Sequence, residues 1–596
     1  MAHGVVAGPA CPTDASAEPD GRRPRGRRTS LGVLTFGLTQ AVLLFWWAAR
    51  YPGLFSPDSL DHVWQATTGN WNTHHPISYT ALVWLSVKLT GGIGALTLAQ
   101  TTALAAGLAY AVTGLRRLGG PAWGWTTAAV VVVALPPVGT FAVCVWKDVP
   151  FVVCHVLLLG TVARLLAHRR PHAADGRRQA GNATVEVPEP DRRRRLPRNL
   201  LAALVAELTL VCLFRQNGFV VVAIVTVLLA LLLRRGAAIR LLLAGVLAGT
   251  VALLTNWALL PALGVRDSGS IVAYEAVIAD LAVGYARHPA EFSAADLALL
   301  TRLAPLAHWR QSAACYTVDS TVYHPDFDRA AAAAHTDELL SAWWRLVRRS
   351  PQVVLDARLC RGSIAWRPAP AGGLRANPTA WALPIYLERD PRFQRPEVLA
   401  VAYSRPLGER TAEVADLLAR RVGQPEWLLW RGATWAYLAY LTVGLLAWRR
   451  RDPALLALAT LSLGNQLSVL AVNNAQAARY MTAPYVLGVL LLPLLVARDP
   501  DRPDPAGRNP GRAFDDRAGR AGHPPLRVTE LTVVAEPAAT GLSAQPDPAT
   551  RPDLAASRPA PATRPDEAGP PAPPFGPADW WIDPTQRLAD RRRSTG

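Results

Sequence analysis

The sequence lacks the short motifs that identify several common enzyme classes. It contains no HExxH, P-loop or GxSxG motif. The signatures of zinc proteases, ATPases and serine hydrolases are therefore missing from the sequence. Its six cysteines include no CxxC pair, which leaves zinc-ribbon and redox motifs unsupported. Lysine is scarce and no internal repeat is visible. The informative features are therefore the apolar runs, the arginines and a few polar clusters.

Long apolar runs of Ala, Leu and Val dominate the chain. A helix needs about 20 apolar residues to cross a bilayer, and these runs reach or approach that length. The sequence therefore predicts an all-α polytopic membrane protein with about ten transmembrane helices, at residues 31–50, 94–115, 123–143, 149–167, 199–214, 218–233, 239–260, 428–447, 453–472 and 480–497. The shorter stretch 77–90 is expected to lie in the membrane interface, with a re-entrant or spanning segment as the alternative.

Arginine is distributed unevenly between these spans. Alternate connecting segments carry clusters, namely Arg22–Arg28, Arg116-Arg117, Arg192–Arg195, Arg234-Arg235 and Arg449–Arg451. Residues 51–76, in contrast, contain neither Lys nor Arg. Because basic loops stay in the cytoplasm, we expect a multi-pass protein of the cell membrane with both termini cytoplasmic. The net charge of +18 is therefore attributed to topology and not to nucleic-acid binding.

The connecting segments differ in composition, and this predicts the domains. The stretch 261–426 is too long for a turn and rich in Trp and Tyr, so we expect an extracytoplasmic, mainly helical domain. Segments 168–198 and 498–596 are rich in Pro and Arg and poor in apolar residues, which predicts cytoplasmic disorder. Cys315 and Cys360 could form a disulfide outside the cell, although the sequence does not decide this. We therefore divide the chain into five parts. These are a disordered N-terminus (1–30), a catalytic transmembrane module (31–260), the extracytoplasmic domain (261–426), C-terminal transmembrane helices (427–497) and a disordered tail (498–596).

The segment after the first span contains two acidic residues and two adjacent histidines. Asp61 follows Asp58 by one helical turn, so their carboxylates can share a face. The alternative is that Ser56 or Asp58 caps the next helix. Histidines with nearby aspartates can bind a divalent metal. Because adjacent residues point in different directions, we instead expect His74 or His75 to form a hydrogen bond or act as an acid or base.

Three cations lie on the side where cations are otherwise scarce: Lys147, Arg215 and Arg479. Ionisable residues near the hydrocarbon core are functional candidates, and guanidinium groups suit bidentate binding of phosphate. For Lys147 and its neighbour Asp148, the alternatives are snorkelling and helix capping. For the two arginines, the alternative is a structural ion pair with Asp58 or Asp148.

The order and sidedness of these clusters resemble the GT-C superfamily of integral-membrane glycosyltransferases, across roughly residues 31–497. The pattern looks most like the bacterial mannosyltransferase-like branch of that superfamily. The similar motifs are Ser56-Pro57-Asp58-Ser59, Trp71-Asn72-Thr73-His74-His75-Pro76, Trp146-Lys147-Asp148-Val149-Pro150-Phe151, and Arg479-Tyr480 before Pro484. Many relatives have Asp-Glu where this chain has Asp58-Ser59, which leaves the base and the acceptor open.

The resemblance implies transfer of a sugar from a polyprenyl-phosphate carrier to a cell-envelope hydroxyl on the outer face of the membrane. Asp58 is then the catalytic carboxylate and Asp148 supports substrate or metal, with Asp61 and His75 as further catalytic candidates. The residues expected to bind substrate are Lys147, Arg215, Asn217, Arg479, Tyr480 and His74. A divalent metal is a candidate cofactor. The alternative function is a transporter or a flippase for lipid-linked sugars, but such proteins usually place polar residues near the bilayer midplane.

Overall fold

The computed structural model describes residues 26–169, 196–233, 235–268, 271–369, 383, 387–388, 390–422 and 425–497. Regular structure within these ranges is helical, and β-pairing there is limited to three isolated bridges. The prediction of an all-α fold is confirmed. The segments predicted to be disordered lie almost entirely outside the described residues.

The helices fall into three successive groups along the chain. The first contains Gly26–Ala49, Pro57–Thr68, Ile77–Thr90, Gly94–Leu115, Ala122–Ala134, Pro136–Ala142, Asp148–His168, Arg198–Phe214, Gly218–Leu232 and Arg235–Leu254, followed by a π-helix at Thr255–Leu259. The second contains Ile271–Arg287, Ala294–Leu303, Leu306–Gln311, Asp319–Val322, Arg329–Ala334, Thr336–Arg349, Pro351–Arg361, Ser363–Trp366, Pro396–Leu399 and Glu409–Val422. The third contains Glu426–Leu429, Gly432–Arg450, Thr460–Val472 and Thr482–Leu491.

Six helical segments in the described ranges are long and apolar enough to cross a membrane. They are Leu31–Ala49, Gly94–Leu118, Asp148–His168, Ala237–Ala262, Pro453–Val472 and Ala478–Val496. A seventh candidate consists of Ala122–Ala134 and Pro136–Ala142, which are bent by 72°. The break follows from Pro136, because the residue before a proline is pushed out of the helical conformation; Leu135 is extended, with ψ of 130°.

The other three predicted spans are helical but do not meet the same criteria of length and composition. Gly218–Leu232 has 15 residues, which corresponds to about 22 Å, whereas the hydrocarbon core is about 30 Å thick. Arg198–Phe214 has 17 residues and includes Glu207. Gly432–Arg450 ends in two arginines. Length and composition therefore support six or seven spans, and the total of about ten stays a prediction.

Burial differs sharply among the candidate spans. In Asp148–His168, 89% of the apolar window is buried, against 28% in Leu31–Ala49 and 33% in Ala237–Ala262. The helix Asp148–His168 is therefore surrounded by protein. Leu31–Ala49 and Ala237–Ala262 instead expose large apolar side chains such as Leu34 and Leu243. Exposed apolar faces of this extent suit a lipid environment.

The described residues of the segment 261–426 are mainly helical, as expected. The segment has its own hydrophobic core, in which Trp309 is fully buried among residues that include Leu281, Leu300 and Leu339. A disulfide joins Cys315 to Cys360. The covalent pairing that the sequence left open is thus formed in the structure.

We predict that reduction exposes two additional thiols in the denatured protein. The chain has six cysteines, and the Cys315–Cys360 bond protects two of them. Labelling of denatured protein with a maleimide-PEG reagent, followed by gel electrophoresis, should show two more adducts after reduction. In the Cys315→Ser control, reduction should not change the number of adducts. Equal labelling of wild type with and without reductant would contradict the disulfide.

Candidate functional site

The acidic segment after the first helix begins with a complete N-terminal cap. Ser56 caps the helix Pro57–Thr68: its hydroxyl accepts from the backbone N–H of Ser59, and its own N–H donates to the Ser59 hydroxyl at 2.9 Å. The indole Nε1 of Trp146 also donates to the Ser56 hydroxyl, at 2.7 Å. Because Ser56 performs the capping, the carboxylate of Asp58 is available for other contacts.

Asp58 lies at the centre of a group of three charges, called here the Asp58 cluster: Asp58, Lys147 and Arg479. Lys147 Nζ and Arg479 Nη1 each lie 3.0 Å from Oδ2 of Asp58. All three side chains are largely shielded from solvent, with exposures of 16–23%. Burial alone raises the pKa of Asp58, but the charges of Arg479 and Lys147 outweigh that effect and hold its pKa well below the usual value. Asp58 is therefore ionised at neutral pH.

The histidines pack together beside this cluster. Lys147 Nζ lies 3.2 Å from Nδ1 of His75, and since an ammonium group can only donate, His75 accepts through Nδ1. The rings of His62 and His74 lie 4.9 and 4.6 Å from the His75 ring. Burial, followed by the charge of Lys147, holds the pKa of His62 and of His75 well below the usual value. Both rings are thus neutral at pH 7.

Asp61 is occupied by partners of its own. Its Oδ2 accepts from the amide of Gln65 at 2.7 Å, and its Oδ1 accepts from Arg392 at 3.4 Å. Arg392 also pairs with Asp390 at 2.7 Å. The sequence gave no indication that Arg392, from the segment 261–426, pairs with Asp61.

Asp148 is buried and paired with Arg215. Its side chain is 1% exposed, and its Oδ1 lies 3.0 Å from Nη1 of Arg215. The Arg215 guanidinium also lies 5.1 Å from the ring of Phe151 and 4.7 Å from that of Tyr480. Asp58 and Asp148 are therefore each paired with a different arginine, Arg479 and Arg215 respectively.

Arg479 and Asn217 are held by contacts from neighbouring segments. The Arg479 guanidinium lies 4.9 Å from the ring of Trp146 and 5.3 Å from that of Tyr480. Asn217 donates through its amide to the hydroxyl of Ser468 at 3.0 Å. Aromatic rings therefore flank both site arginines, which limits their motion and lowers the surrounding dielectric.

These residues line a cavity of about 2040 Å³. Every predicted site residue except Asp148 contributes to its lining: Asp58, Asp61, His74, His75, Lys147, Arg215, Asn217, Arg479 and Tyr480. Other parts of the lining are apolar. They come from apolar helices and from the π-helix and include Leu213, Phe219, Val220, Trp257, Leu260 and Pro261. The volume exceeds the range of about 300–1,000 Å³ that is usual for small-molecule pockets.

The cavity lining includes residues from the segment 261–426, and none of them was identified as a site residue from the sequence. Glu275, Asp319 and Tyr323 all line the cavity. Glu275 accepts from the Asn474 amide at 2.6 Å and lies 3.5 Å from the Tyr323 hydroxyl. The sequence feature that could have identified Glu275 is its position within an apolar helical run. Asp319 lies in a polar stretch that carries no comparable signal.

The histidines of the cavity do not form a metal-binding group with its carboxylates in the described part of the chain. Only His308, His324 and Asp326 offer ligand atoms that all lie within 4.8 Å of one another there. These three residues are absent from the cavity lining. His74 and His75 therefore do not belong to a three-ligand group of this kind in the described residues.

Comparison with known proteins identifies a family but no activity. Searches of curated proteins and of solved structures found no match. The match to the family spans residues 63–362, half of the 596 residues. It includes His75, Lys147, Arg215 and Asp319, whereas Asp58 and Arg479 lie outside it. The chain thus belongs to the family of unknown function DUF6020.

Proposed function

We propose that this protein is a membrane glycosyltransferase that moves a sugar from a polyprenyl-phosphate carrier to a hydroxyl of a cell-envelope acceptor. The observation that carries the proposal is the Asp58 cluster within a large cavity that also has an apolar lining. Two cations fit a phosphate group, and the apolar lining fits an isoprenoid chain. A soluble nucleotide-sugar donor would need no such lining.

The cations also suit the chemistry of the leaving group. When the bond between the sugar and the phosphate breaks, the carrier phosphate gains one negative charge. Lys147 and Arg479 stabilise that charge as it develops, in an environment where little water competes. Arg215, flanked by Phe151 and Tyr480, provides a third cation in the same cavity. Its charge is shared with Asp148, so its contribution is smaller.

The proposed topology places this cavity at the outer face of the cytoplasmic membrane. The arginine clusters of the connecting segments support cytoplasmic termini, about ten spans and an extracytoplasmic segment 261–426. The disulfide between Cys315 and Cys360 supports the same side, because disulfides persist in oxidising compartments.

A flippase or transporter for lipid-linked sugars is the second candidate. The bent pair Ala122–Ala134 and Pro136–Ala142 favours it, because discontinuous helices often form transport sites. Val138 and Phe141 from this pair line the cavity. Transport moves the whole carrier and forms no glycosidic bond, so a product assay separates the two functions.

We predict that reporter fusions at about residues 70, 180, 340 and 520 read outside, inside, outside and inside. The physical reason is the retention of basic loops in the cytoplasm. The side of the membrane is measured with two reporters, one active only in the cytoplasm and one active only outside it. A cytoplasmic signal at residue 340 would move the cavity to the other face and overturn the proposed topology.

We predict that Asp58→Asn lowers sugar transfer by about 10²-fold or more, because breaking a shielded ion pair leaves Lys147 and Arg479 without their shared counter-charge. The measurement uses purified full-length protein in nanodiscs with radiolabelled polyprenyl-phosphate sugars and envelope glycans. Asp337→Asn, at an exposed residue outside the cavity, is the matched control. Near-normal transfer by Asp58→Asn would contradict the role of the cluster. Absence of transfer by wild type across the whole panel would reject the glycosyltransferase proposal.

We predict that Arg479→Lys lowers transfer by roughly 30- to 150-fold, equivalent to about 2–3 kcal/mol, since an ammonium group cannot reproduce the planar fork. Donor dependence and protein abundance are measured together. Loss of abundance alone would indicate a structural ion pair with Asp58. Arg302→Lys, at an exposed pair with Glu338, is the control. Wild-type donor kinetics in Arg479→Lys would exclude a phosphate clamp at this position.

A further inference from the structure

The cavity has an acidic wall that binding of the donor does not use. Glu275, Asp319 and Tyr323 line the same cavity as the Asp58 cluster. Glu275 is buried and fixed by the amide of Asn474 at 2.6 Å. Asp319 lines the cavity, and no cation lies within ion-pair distance of it in the described part of the chain. This wall therefore offers one carboxylate that is open to a ligand.

The backbone around Asp319 is held firmly. Residues 316–318 pair with 474–476 through two backbone hydrogen bonds of 3.0 Å and an antiparallel bridge. The Cys315–Cys360 disulfide lies immediately before this pairing, and Asp319 lies immediately after it. The disulfide and the backbone hydrogen bonds thus fix the position of Asp319. A residue that acts on a substrate needs such a rigid position.

Asp58 and Asp319 have opposite electrostatic environments. Asp58 is neutralised by its two cations and is a weak base. Burial, followed by the charge of Asp58, raises the pKa of Asp319 to about 6, although a hydrogen bond from the Thr317 side chain and the charges of Arg479 and Arg329 act against this increase. Glu275 faces the same groups, and its pKa is raised to about 8 by burial and by the charges of Asp319 and Asp58. The difference in pKa gives the carboxylates different roles: Asp58 stays ionised and holds cations, whereas Asp319 is suited to accept a proton.

We infer that Asp319 accepts the proton of the acceptor hydroxyl, and that Glu275 and Tyr323 bind an acceptor that is a neutral polyhydroxyl compound. This inference rests on the proposed glycosyltransferase function. It assigns general-base catalysis to a residue of the segment 261–426, while Asp58 retains the task of holding Lys147 and Arg479.

The proposed step conserves atoms and charge. A lone pair of the acceptor oxygen forms the new bond to the anomeric carbon. The bond from that carbon to the carrier phosphate breaks, and its electrons go to the phosphate oxygen, which becomes a monoester with one more negative charge. The hydroxyl proton passes to the carboxylate of Asp319 and later to water. No oxidant, reductant or metal is required for this balance.

The charge of the wall determines which acceptors can enter. Asp319 is negative above its pKa, and an acceptor with its own carboxylate or phosphate near the reacting hydroxyl would be repelled. Glu275, with its pKa near 8, is largely protonated at neutral pH and can donate a hydrogen bond to an acceptor oxygen. The Tyr323 hydroxyl can donate or accept. Neutral sugars are therefore favoured over uronic acids or sugar phosphates.

The test measures transfer from radiolabelled polyprenyl-phosphate sugars by full-length protein in nanodiscs, between pH 4.5 and 9. The acceptors are methyl hexosides and the corresponding methyl hexuronosides. The variants are Asp319→Asn and Asp319→Glu, with Asp337→Asn as the control.

We predict that wild type prefers the neutral hexosides and loses activity as the pH falls through about 6, since the base must be deprotonated to act. Asp319→Asn should lower kcat by about 10²- to 10⁴-fold and abolish this acidic limb in the residual activity. Asp319→Glu should recover part of the rate with a shifted midpoint. Asp337→Asn should retain both the rate and the profile.

Each other outcome overturns the inference in a recognisable way. If Asp319→Asn keeps the acidic limb, the base lies elsewhere while the proposed function stands. If Asp319→Asn does not accumulate, Asp319→Glu decides, because an unchanged midpoint would exclude residue 319 as the titrating group. Equal use of hexuronosides would reject the acceptor class alone. Absence of transfer by wild type would reject the proposed function together with this inference.

Discussion

One carboxylate oxygen, Oδ2 of Asp58, holds two cations at 3.0 Å, and the architecture of the site depends on that contact. The three side chains come from the start of Pro57–Thr68, from the turn before Asp148–His168 and from the segment before Thr482–Leu491. Removing one member of a shielded group leaves an uncompensated charge, which costs several kcal/mol. The contact therefore brings together three segments that are far apart in sequence, and the cavity lies where they meet.

A second buried ionic group fixes the segment 261–426 against these helices. Asp280 is fully buried and pairs with Arg358 at 2.6 Å and with Arg361. Arg361 also donates to the carbonyl of Asn473 at 2.9 Å, and the Asn473 amide donates to the carbonyl of Arg361 at 2.8 Å. Since Asn473 lies only a few residues before Arg479, this group positions the segment that carries the site arginine. Glu275, five residues before Asp280 on the same helix, is set in the cavity wall by the same anchoring.

Local properties of the sequence predicted the helices, and nine of the ten predicted site residues line the cavity, but most of its lining depends on contacts between distant residues. Apolar runs predict helices because they depend only on neighbouring residues, but a short helix such as Gly218–Leu232 does not show by its length whether it crosses the membrane. Asp58 was identifiable from its position after the first span. The pairing of Asp148 with Arg215 was one of the alternatives that the sequence left open, because it depends on a contact between residues far apart in the chain. Asp319 had no local signal, whereas an acidic residue in an apolar helix could have identified Glu275.

The same negative charge serves both halves of the proposed chemistry. The Asp58 carboxylate holds Lys147 and Arg479 in place and also raises the pKa of Asp319. When a donor phosphate binds to the two cations, further negative charge enters the cavity. A nearby negative charge raises the pKa of a carboxyl group, so Asp319 becomes a stronger base when the donor is present. On this reasoning, acceptor activation is coupled electrostatically to donor binding, and no movement of the backbone is needed to link the two.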